Sequence, residues 1–212
     1  MNHLSYRPFY QRHLPHFQPP GATLFVTFRL KGSIPQAALD QLIAERSRSE
    51  AALSVVSDPV EQARLRSHTE RVLFGKWDAE LDTARQSPRW LEDPRVAQMV
   101  ADCLRHRDNV VYNLHAFCIM PNHVHLVCTP LAKLGEDYHS LSAILHALKS
   151  YTAHEANRIL VRRGAFWQQE SYDHVVRDDE ELRRVVTYVL NNPVKARLVE
   201  DAHNWPWSYA AV

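Results

Sequence analysis

Residues 110–129 contain two strand-like runs separated only by Pro121 and Asn122, and this pattern constrains the fold more than any other feature. The first run reads VVYNLHAFCIM at 110–120, and the second reads HVHLVCT at 123–129. Pro-Asn is typical of tight turns, so the two runs predict an antiparallel β-hairpin.

The second strand of this hairpin has two chemically different faces, because side chains alternate between the two sides of a strand. One face is entirely apolar and carries Val124, Leu126 and Cys128. The other face carries His123, His125 and Val127. We expect the apolar face to meet a layer of helices and the imidazoles to lie on the opposite side.

The rest of the chain alternates between helical and strand-like patterns. Strands are predicted at 22–30 and 172–177, and helices at 36–56, 93–107, 139–162 and 178–192, with 60–86 helical in part. This order of elements predicts an α+β fold with a mainly antiparallel sheet and helices packed on it. A ferredoxin-like arrangement is the simplest candidate.

Four residues predict where helices begin or end. Asp93 is a candidate N-cap, followed by Pro94 at the first helical position. Gly164 is a candidate C-cap for the helix at 139–162. Pro193 is expected to end the last helix.

The length of 212 residues suits one well-buried core, so a single domain over 1–212 is expected. Prolines exclude regular helix from residues 1–21, which predict an extended N-terminal arm. No apolar run approaches the roughly 20 residues that cross a bilayer. Since the first residues also lack the apolar core of a secretory signal, a cytoplasmic protein without membrane contact is expected.

The three cysteines, Cys103, Cys118 and Cys128, form no C-x-x-C pair. They therefore predict reduced, packed thiols rather than disulfides or a zinc site.

A net charge of +1 argues against electrostatic nucleic-acid binding by the whole chain, so local charge matters more. Residues 149–163 carry four basic residues against Glu155, namely Lys149, Arg158, Arg162 and Arg163. Such a stretch is either a solvated face or a contact for phosphates.

His-x-His on a strand points two imidazoles in the same direction, where they can share one metal ion. His123 and His125 are therefore candidate metal ligands. The alternative is two packed or surface histidines, and the spacing alone leaves both interpretations open.

Tyr188 and Asn192 lie four residues apart on the last predicted helix, only about 40° apart around its axis. They fall at the edge of the apolar stripe, where a hydroxyl and an amide oxygen can face a cleft. An amide oxygen suits Mg²⁺ or Mn²⁺. The alternative is an ordinary tyrosine and an asparagine at a helix end.

Four motifs occur in order: MPNHVHLV, FWQQESYDHVVRD, YVLNNPVKARLV and WPWS. Together they resemble the REP-associated tyrosine transposases, which belong to the HUH group of single-strand transposases. The segment LPHFQPPGATLFVTFRL is similar to a subgroup of that family. Residues about 37–100 fall outside these motifs, and the resemblance indicates a helical insertion there.

The resemblance implies roles for four residues. His123 and His125 would hold a divalent metal, Mg²⁺ or Mn²⁺, with Asn192 as third ligand. Tyr188 would be the nucleophile. Apart from the resemblance, Lys195 and Arg197 could contact phosphates, although basic residues are common near the C-terminal end of a helix in any case.

The resemblance also implies the reaction, which is cleavage and rejoining of single-stranded DNA at REP-like palindromic hairpins through a 5′-phosphotyrosine. Relatives work as monomers or as homodimers that exchange the tyrosine helix, and the sequence does not choose between these states.

Several alternatives remain open from the sequence. Tyr151 and Tyr172 are other tyrosines, but neither has an amide residue four positions later, just before a helix end. A domesticated protein could bind hairpins without cleaving them. A metal-dependent phosphodiesterase could use water instead of tyrosine. A zinc protease is disfavoured because H-E-x-x-H is absent.

Overall fold

The computed structural model describes residues 9–11, 15–17, 19–83, 87–134 and 137–211. The predicted N-terminal arm lies partly outside these residues. Its described parts include two short strands, β1 (Phe9–Gln11) and β2 (Pro15–Phe17), which pair antiparallel.

The remaining elements follow in a simple order. They are β3 (Leu24–Leu30), α1 (Gln36–Ser54), α2 (Pro59–Thr83), a 3-10 turn (Trp90–Glu92), α3 (Pro94–His106), β4 (Tyr112–Ile119), β5 (His123–Pro130), α4 (Leu141–Ile159), β6 (Trp167–Val175), α5 (Asp179–Lys195), a second 3-10 turn (Ala202–Asn204) and β7 (Ser208–Ala210). None of these helices combines the length and hydrophobicity needed to cross a membrane, as far as the described residues extend.

The chain forms two compact units, of which the smaller comprises residues 32–88. In this unit α1 and α2 pack against each other. The side chain of Gln62 donates a hydrogen bond to the carbonyl of Leu53 at 2.9 Å, and Lys76 forms an ion pair with Glu45. The predicted insertion extended to about residue 100, whereas this unit ends at residue 88.

The larger unit, residues 1–31 and 89–212, is built on a five-stranded antiparallel sheet in the order β6-β3-β5-β4-β7. The predicted hairpin is confirmed, because β4 and β5 pair directly with Ile119 opposite Val124. Strand β5 lies between β3 and β4, which is the split arrangement of a ferredoxin-like fold. The predicted α+β class is therefore confirmed.

The two faces of the sheet are covered by different helices. Helices α3 and α4 bury one face in a core that includes Val124, Leu126 and Cys128, as the alternation predicted. Helix α5 contacts β4, β5 and β7. Its side of the sheet is the one that carries His123 and His125.

All three cysteines are free and buried, as predicted. Burial raises the pKa of Cys128 to about 12, so its thiol is protonated at neutral pH.

The prediction that Gly164 caps α4 is wrong, because the helix already ends at Ile159 with Leu160 as its C-cap. Val161 adopts the left-handed conformation, with φ of 50°, that glycine usually takes after a helix. The amide of Arg162 then donates to the carbonyl of Asn157 at 2.9 Å. A Schellman-type turn therefore forms around Val161. Because such turns usually contain glycine, the sequence pattern does not indicate a helix end at valine.

The prediction that Pro193 ends the last helix is also wrong, because α5 continues to Lys195. Proline lacks an N–H donor and crowds the carbonyl four residues earlier, but it keeps its own carbonyl and leaves the amides that follow it free to bond. The next turn still closes, since the amide of Ala196 donates to the carbonyl of Asn192 at 2.9 Å.

The strand predicted at 172–177 is longer than expected, since β6 begins at Trp167. The indole N–H of Trp167 donates to the hydroxyl of Thr152 at 2.8 Å, and this contact holds the start of the strand. Strand β7 was not predicted. Its Tyr209 stacks on Phe117 with 5.6 Å between ring centroids, and its backbone pairs with β4.

The predicted N-cap of α3 is confirmed, because the Asp93 carboxylate accepts from the amide of Arg95 at 2.9 Å. We expect Asp93→Ala to lower the free energy of unfolding by about 1 kcal/mol, the usual worth of an N-cap. Urea denaturation at neutral pH would measure it. Asp93→Asn should lower the free energy of unfolding by less than Asp93→Ala, since asparagine caps equally well. Equal losses in the two variants would contradict the capping role.

Candidate functional site

Two buried imidazoles meet on the α5 side of the sheet. The Nε2 atoms of His123 and His125 lie 3.0 Å apart, and the ring centroids are 4.6 Å apart. Both residues are essentially inaccessible to solvent. The pleat of β5 therefore brings these side chains together, as the spacing predicted.

The outer nitrogen of each ring is held by a neighbouring side chain. Nδ1 of His123 lies 2.7 Å from Oδ1 of Asn122, and Nδ1 of His125 lies 2.8 Å from the hydroxyl of Thr27. An amide oxygen only accepts, so Nδ1 of His123 donates, and neutral His123 keeps its lone pair on Nε2. Outer hydrogen bonds of this kind orient imidazoles that bind metals.

Thr27 was missed by the sequence analysis. It lies on β3 directly opposite His125 in the antiparallel register. Only the pairing of two strands about a hundred residues apart brings it there, so no local pattern could have identified it.

Tyr188 lies beside the imidazoles. Its ring centroid is 5.9 Å from that of His125 and 6.1 Å from that of Phe25, both in edge-on geometry. The residue is half-buried. The Nζ atom of Lys195 lies 5.5 Å from the centre of the tyrosine ring, where a cation is attracted by the π-face.

Asn192 follows one turn later on α5 and is completely buried. Neither its Oδ1 nor its Nδ2 has a hydrogen-bond partner among the described residues. Buried amides are normally bonded, and an unbonded one needs an explanation such as a bound ion. The Nε2 atoms of the two imidazoles and the Oδ1 atom of this amide are of the types that serve as ligands to a divalent cation.

Arg29 adds positive charge to the same side of the sheet, since it pairs in register with His123. Burial lowers the pKa of its guanidinium to about 10, so the group remains protonated at neutral pH. This buried cation was also missed, because it is an unremarkable residue of a strand-like run.

The other two candidate tyrosines lie on α4 and β6. Tyr151 is exposed on α4, the helix that covers the opposite face of the sheet. Tyr172 lies on β6, with its ring centroid 6.4 Å from that of Phe25. Tyr172 also lies directly opposite Thr27 in the sheet register, whereas the ring of Tyr188 itself contacts that of His125 at 5.9 Å.

Two residues predicted to contact DNA make contacts within the chain. Lys149 donates to the backbone carbonyls of Gln168 and Gln169 at 3.0 and 3.1 Å. The guanidinium of Arg162 lies 3.6 Å from the centre of the Trp90 ring. Both side chains therefore contribute to packing.

The other four residues predicted to contact DNA are exposed, namely Arg158, Arg163, Lys195 and Arg197. Arg158 pairs with Glu155 at 2.8 Å on the surface of α4. Exposed ion pairs of this type contribute little to stability, so Arg158 could exchange its partner at little cost.

The comparisons with known proteins give a consistent result. Residues 89–192 match the family described as "Transposase IS200 like". A Haemophilus influenzae protein assigned provisionally to the REP-associated tyrosine transposases is 31% identical over 102 residues, which cover 44% of this chain and 56% of that protein. The REP-associated tyrosine transposase of Escherichia coli K12 is 26% identical over 97 residues, covering 46% and 53%.

Over this region the chain is similar to the REP-associated tyrosine transposases. The matched region spans only about half the length of the two curated relatives. A solved structure of a REP-associated tyrosine transposase bound to a REP hairpin has the same fold, with a TM-score of 0.55 at 16% identity. That match covers 94% of this chain and 80% of the solved chain.

The unbonded amide of Asn192 generates a stability prediction. Replacing an unsatisfied buried polar group by an apolar group of similar shape removes a desolvation cost of about 1–3 kcal/mol. We therefore expect Asn192→Leu to be neutral or stabilising in the presence of chelator, as measured by urea denaturation.

Asn157 provides the contrast, because both of its amide atoms are bonded, to Arg162 at 2.6 Å and to the carbonyl of Gly164 at 3.0 Å. Asn157→Leu should destabilise the chain. Equal destabilisation by both substitutions would mean that the amide of Asn192 has partners in the metal-free protein.

Proposed function

We propose that this chain is a metal-dependent endonuclease and strand transferase that acts on single-stranded DNA through a 5′-phosphotyrosine. The observation that carries the proposal is the position of Tyr188, whose ring lies 5.9 Å from that of His125, one of two imidazoles with converging Nε2 atoms. The relationship to tyrosine transposases supports the same chemistry.

His123, His125 and Asn192 would hold the divalent cation, Mg²⁺ or Mn²⁺. When bound, such an ion polarises a phosphate and neutralises charge that develops during displacement. Asn122 and Thr27 keep the two rings in orientation through their outer nitrogens. The proton on Nδ1 of His123 leaves its Nε2 available as a ligand atom.

Tyr188 would supply the nucleophile. Its phenolic oxygen forms a bond to the scissile phosphorus, and the bond from phosphorus to the 3′-oxygen breaks. The phenol loses its proton and the departing oxygen gains one, giving a 5′-phosphotyrosine and a free 3′-hydroxyl. A phenol with a pKa of about 10 needs help to ionise at neutral pH, and the ammonium group of Lys195, 5.5 Å from the centre of the ring, would favour the phenolate.

The covalent link would conserve the energy of the broken phosphodiester. A second 3′-hydroxyl could then attack the phosphotyrosine and release Tyr188, which joins two DNA strands. This exchange needs neither ATP nor water, and it distinguishes a strand transferase from a hydrolytic phosphodiesterase.

The substrate that we propose is a REP-like palindromic hairpin with an adjoining single strand. The related solved structure holds a REP hairpin. In this chain Arg158, Arg163, Lys195 and Arg197 are exposed and could contact phosphates, which would make binding weaken with rising salt. Action on DNA accords with the cytoplasmic location expected from the sequence.

We further propose that one chain assembles its own site. Helix α5 packs on the sheet of the same chain, and Tyr188 approaches His125 of that chain. A monomer could therefore cleave, without exchange of the tyrosine helix between two copies.

Metal binding can be tested on the free protein. Saturating Mn²⁺ should raise the melting temperature by several degrees, because a ligand at 100 times its Kd stabilises the folded state by about 2.7 kcal/mol. Differential scanning fluorimetry would show the shift, which we expect to be lost in His123→Ala. An equal shift in that variant would place the ion elsewhere.

Cleavage can be tested with a labelled single-stranded hairpin from the flanks of the gene and Mg²⁺ or Mn²⁺. We expect a covalent protein–DNA adduct on a denaturing gel, because phosphotyrosine survives denaturation. Tyr188→Phe should abolish the adduct, and His123→Ala should reduce it strongly.

Tyr151→Phe is the matched control, since this exposed tyrosine lies on α4 and should leave the adduct unchanged. Tight hairpin binding without cleavage would instead indicate a domesticated DNA-binding protein. Cleavage by Tyr188→Phe without an adduct would indicate that water is the nucleophile, and an adduct in that variant would indicate a different nucleophilic side chain.

A further inference from the structure

A partly buried side-chain pair connects the end of β6 to the first turn of α5. The Nε2 atom of His174 lies 3.0 Å from Oε1 of Glu181. The carboxylate only accepts, so the imidazole donates. The side chains are 13% and 14% exposed, well below those of an ordinary surface pair.

Glu181 makes a second bond that fixes the entry into the helix. Its Oε2 accepts from the backbone amide of Arg177 at 2.8 Å, while its own amide donates to Asp178, the N-cap, at 2.7 Å. This is a variant of the capping box, in which the third helical residue bonds back to the chain before the helix.

The carboxylate of Glu181 is ionised at neutral pH. Burial by itself would raise its pKa, but the hydrogen bonds from His174 and from the amide of Arg177 lower it below the ordinary range. Both oxygens are therefore strong acceptors, and one carboxylate joins a strand, the loop after it and a helix.

Glu181 and Tyr188 lie on the same side of α5. Seven residues correspond to nearly two full turns, so the two side chains differ by only about 20° around the axis. The strand partner lies beneath the same side, since His174 pairs in register with Phe25, whose ring contacts both Tyr188 and His125.

We propose that His174 and Glu181 form a positioning pair that sets the rotation and position of α5, so that Tyr188 faces the paired imidazoles. This inference rests on the proposed function, because it assumes that Tyr188 attacks a phosphate near His125. It assigns a role to the histidine of the FWQQESYDHVVRD motif, which the metal and nucleophile roles leave unexplained.

Glu181 lies about two helical turns from Tyr188, so any effect on the reaction is indirect. Seven residues of helix span about 10.5 Å, so Glu181 does not touch the reacting atoms. Its loss would let α5 rotate or shift, and a misplacement of about 1 Å can cost about 100-fold in rate. The predicted defect therefore lies in the cleavage step and leaves hairpin affinity unchanged.

The test compares Glu181→Ala, Glu181→Gln and the wild-type chain. We expect Glu181→Ala to lower the single-turnover rate of adduct formation by about 10-fold to 100-fold, with the Kd for the hairpin in chelator unchanged within about twofold. Glu181→Gln keeps one acceptor oxygen, so its single-turnover rate should lie between those of Glu181→Ala and the wild-type chain. The single-turnover rate is divided by the folded fraction of each variant. If Glu181 only stabilised the fold, its loss would lower the folded fraction but leave this corrected rate unchanged.

Glu180→Ala is the matched control. Glu180 lies in the same helical turn and carries the same charge, but it pairs with Arg184 on the exposed surface at 2.5 Å. Its loss should leave the rate unchanged. His174→Ala should reproduce the defect of Glu181→Ala, and the double variant should be no slower than either single variant.

The outcomes separate the two proposals. If the wild-type chain forms an adduct and Glu181→Ala forms it equally fast, the positioning role is overturned and the proposed function stands. A slower rate explained wholly by weaker hairpin binding, or an equal defect in Glu180→Ala, also overturns it. If the wild-type chain forms no adduct, the proposed function itself fails.

Discussion

The pleat of β5 is the constraint on which the core and the candidate site both depend. Val124, Leu126 and Cys128 point into the core beneath α3 and α4, so His123 and His125 must point to the opposite face. A shift of one residue in register would exchange the two sets and bury imidazoles among aliphatic side chains. Burial of the apolar face of β5 therefore determines that His123 and His125 lie on its other face.

The central place of β5 in the sheet also fixes the orientation of the rings. Its neighbour β3 provides Thr27 for His125, and the turn before it provides Asn122 for His123. Each imidazole is held at its outer nitrogen while the inner nitrogens converge. Asn192 differs, because its buried amide lacks a partner among the described residues. Such violations of polar satisfaction concentrate at functional sites, where a ligand completes the arrangement.

Helix α5 places Tyr188, the proposed nucleophile, beside the paired imidazoles. The helix is attached at its start through Glu181, which bonds to His174 and to the amide of Arg177. Near its end it buries Asn192 and Pro193 against the sheet unit. Tyr188 lies between these two attachments. In the proposed reaction, a tyrosine on a helix held at both ends would lose little further entropy on reaching the phosphate.

Local chemistry was readable from the sequence: the hairpin at 110–129, the opposed faces of its second strand, the cap at Asp93, and the candidate set His123, His125, Tyr188 and Asn192. The hairpin, its two faces and the cap depend on residues close together in the chain, and so do the separate pairs His123/His125 and Tyr188/Asn192. Their grouping into one candidate set was implied by the family resemblance. The tertiary structure alone decided the ends of α4 and α5, the strand β7, the partner of His125 and the link between His174 and Glu181. Thr27 and His125 are 98 residues apart, and such contacts depend on which strands pair and in what register. Strand pairing is decided by how whole elements bury their apolar faces together, and no local pattern of residues contains that information.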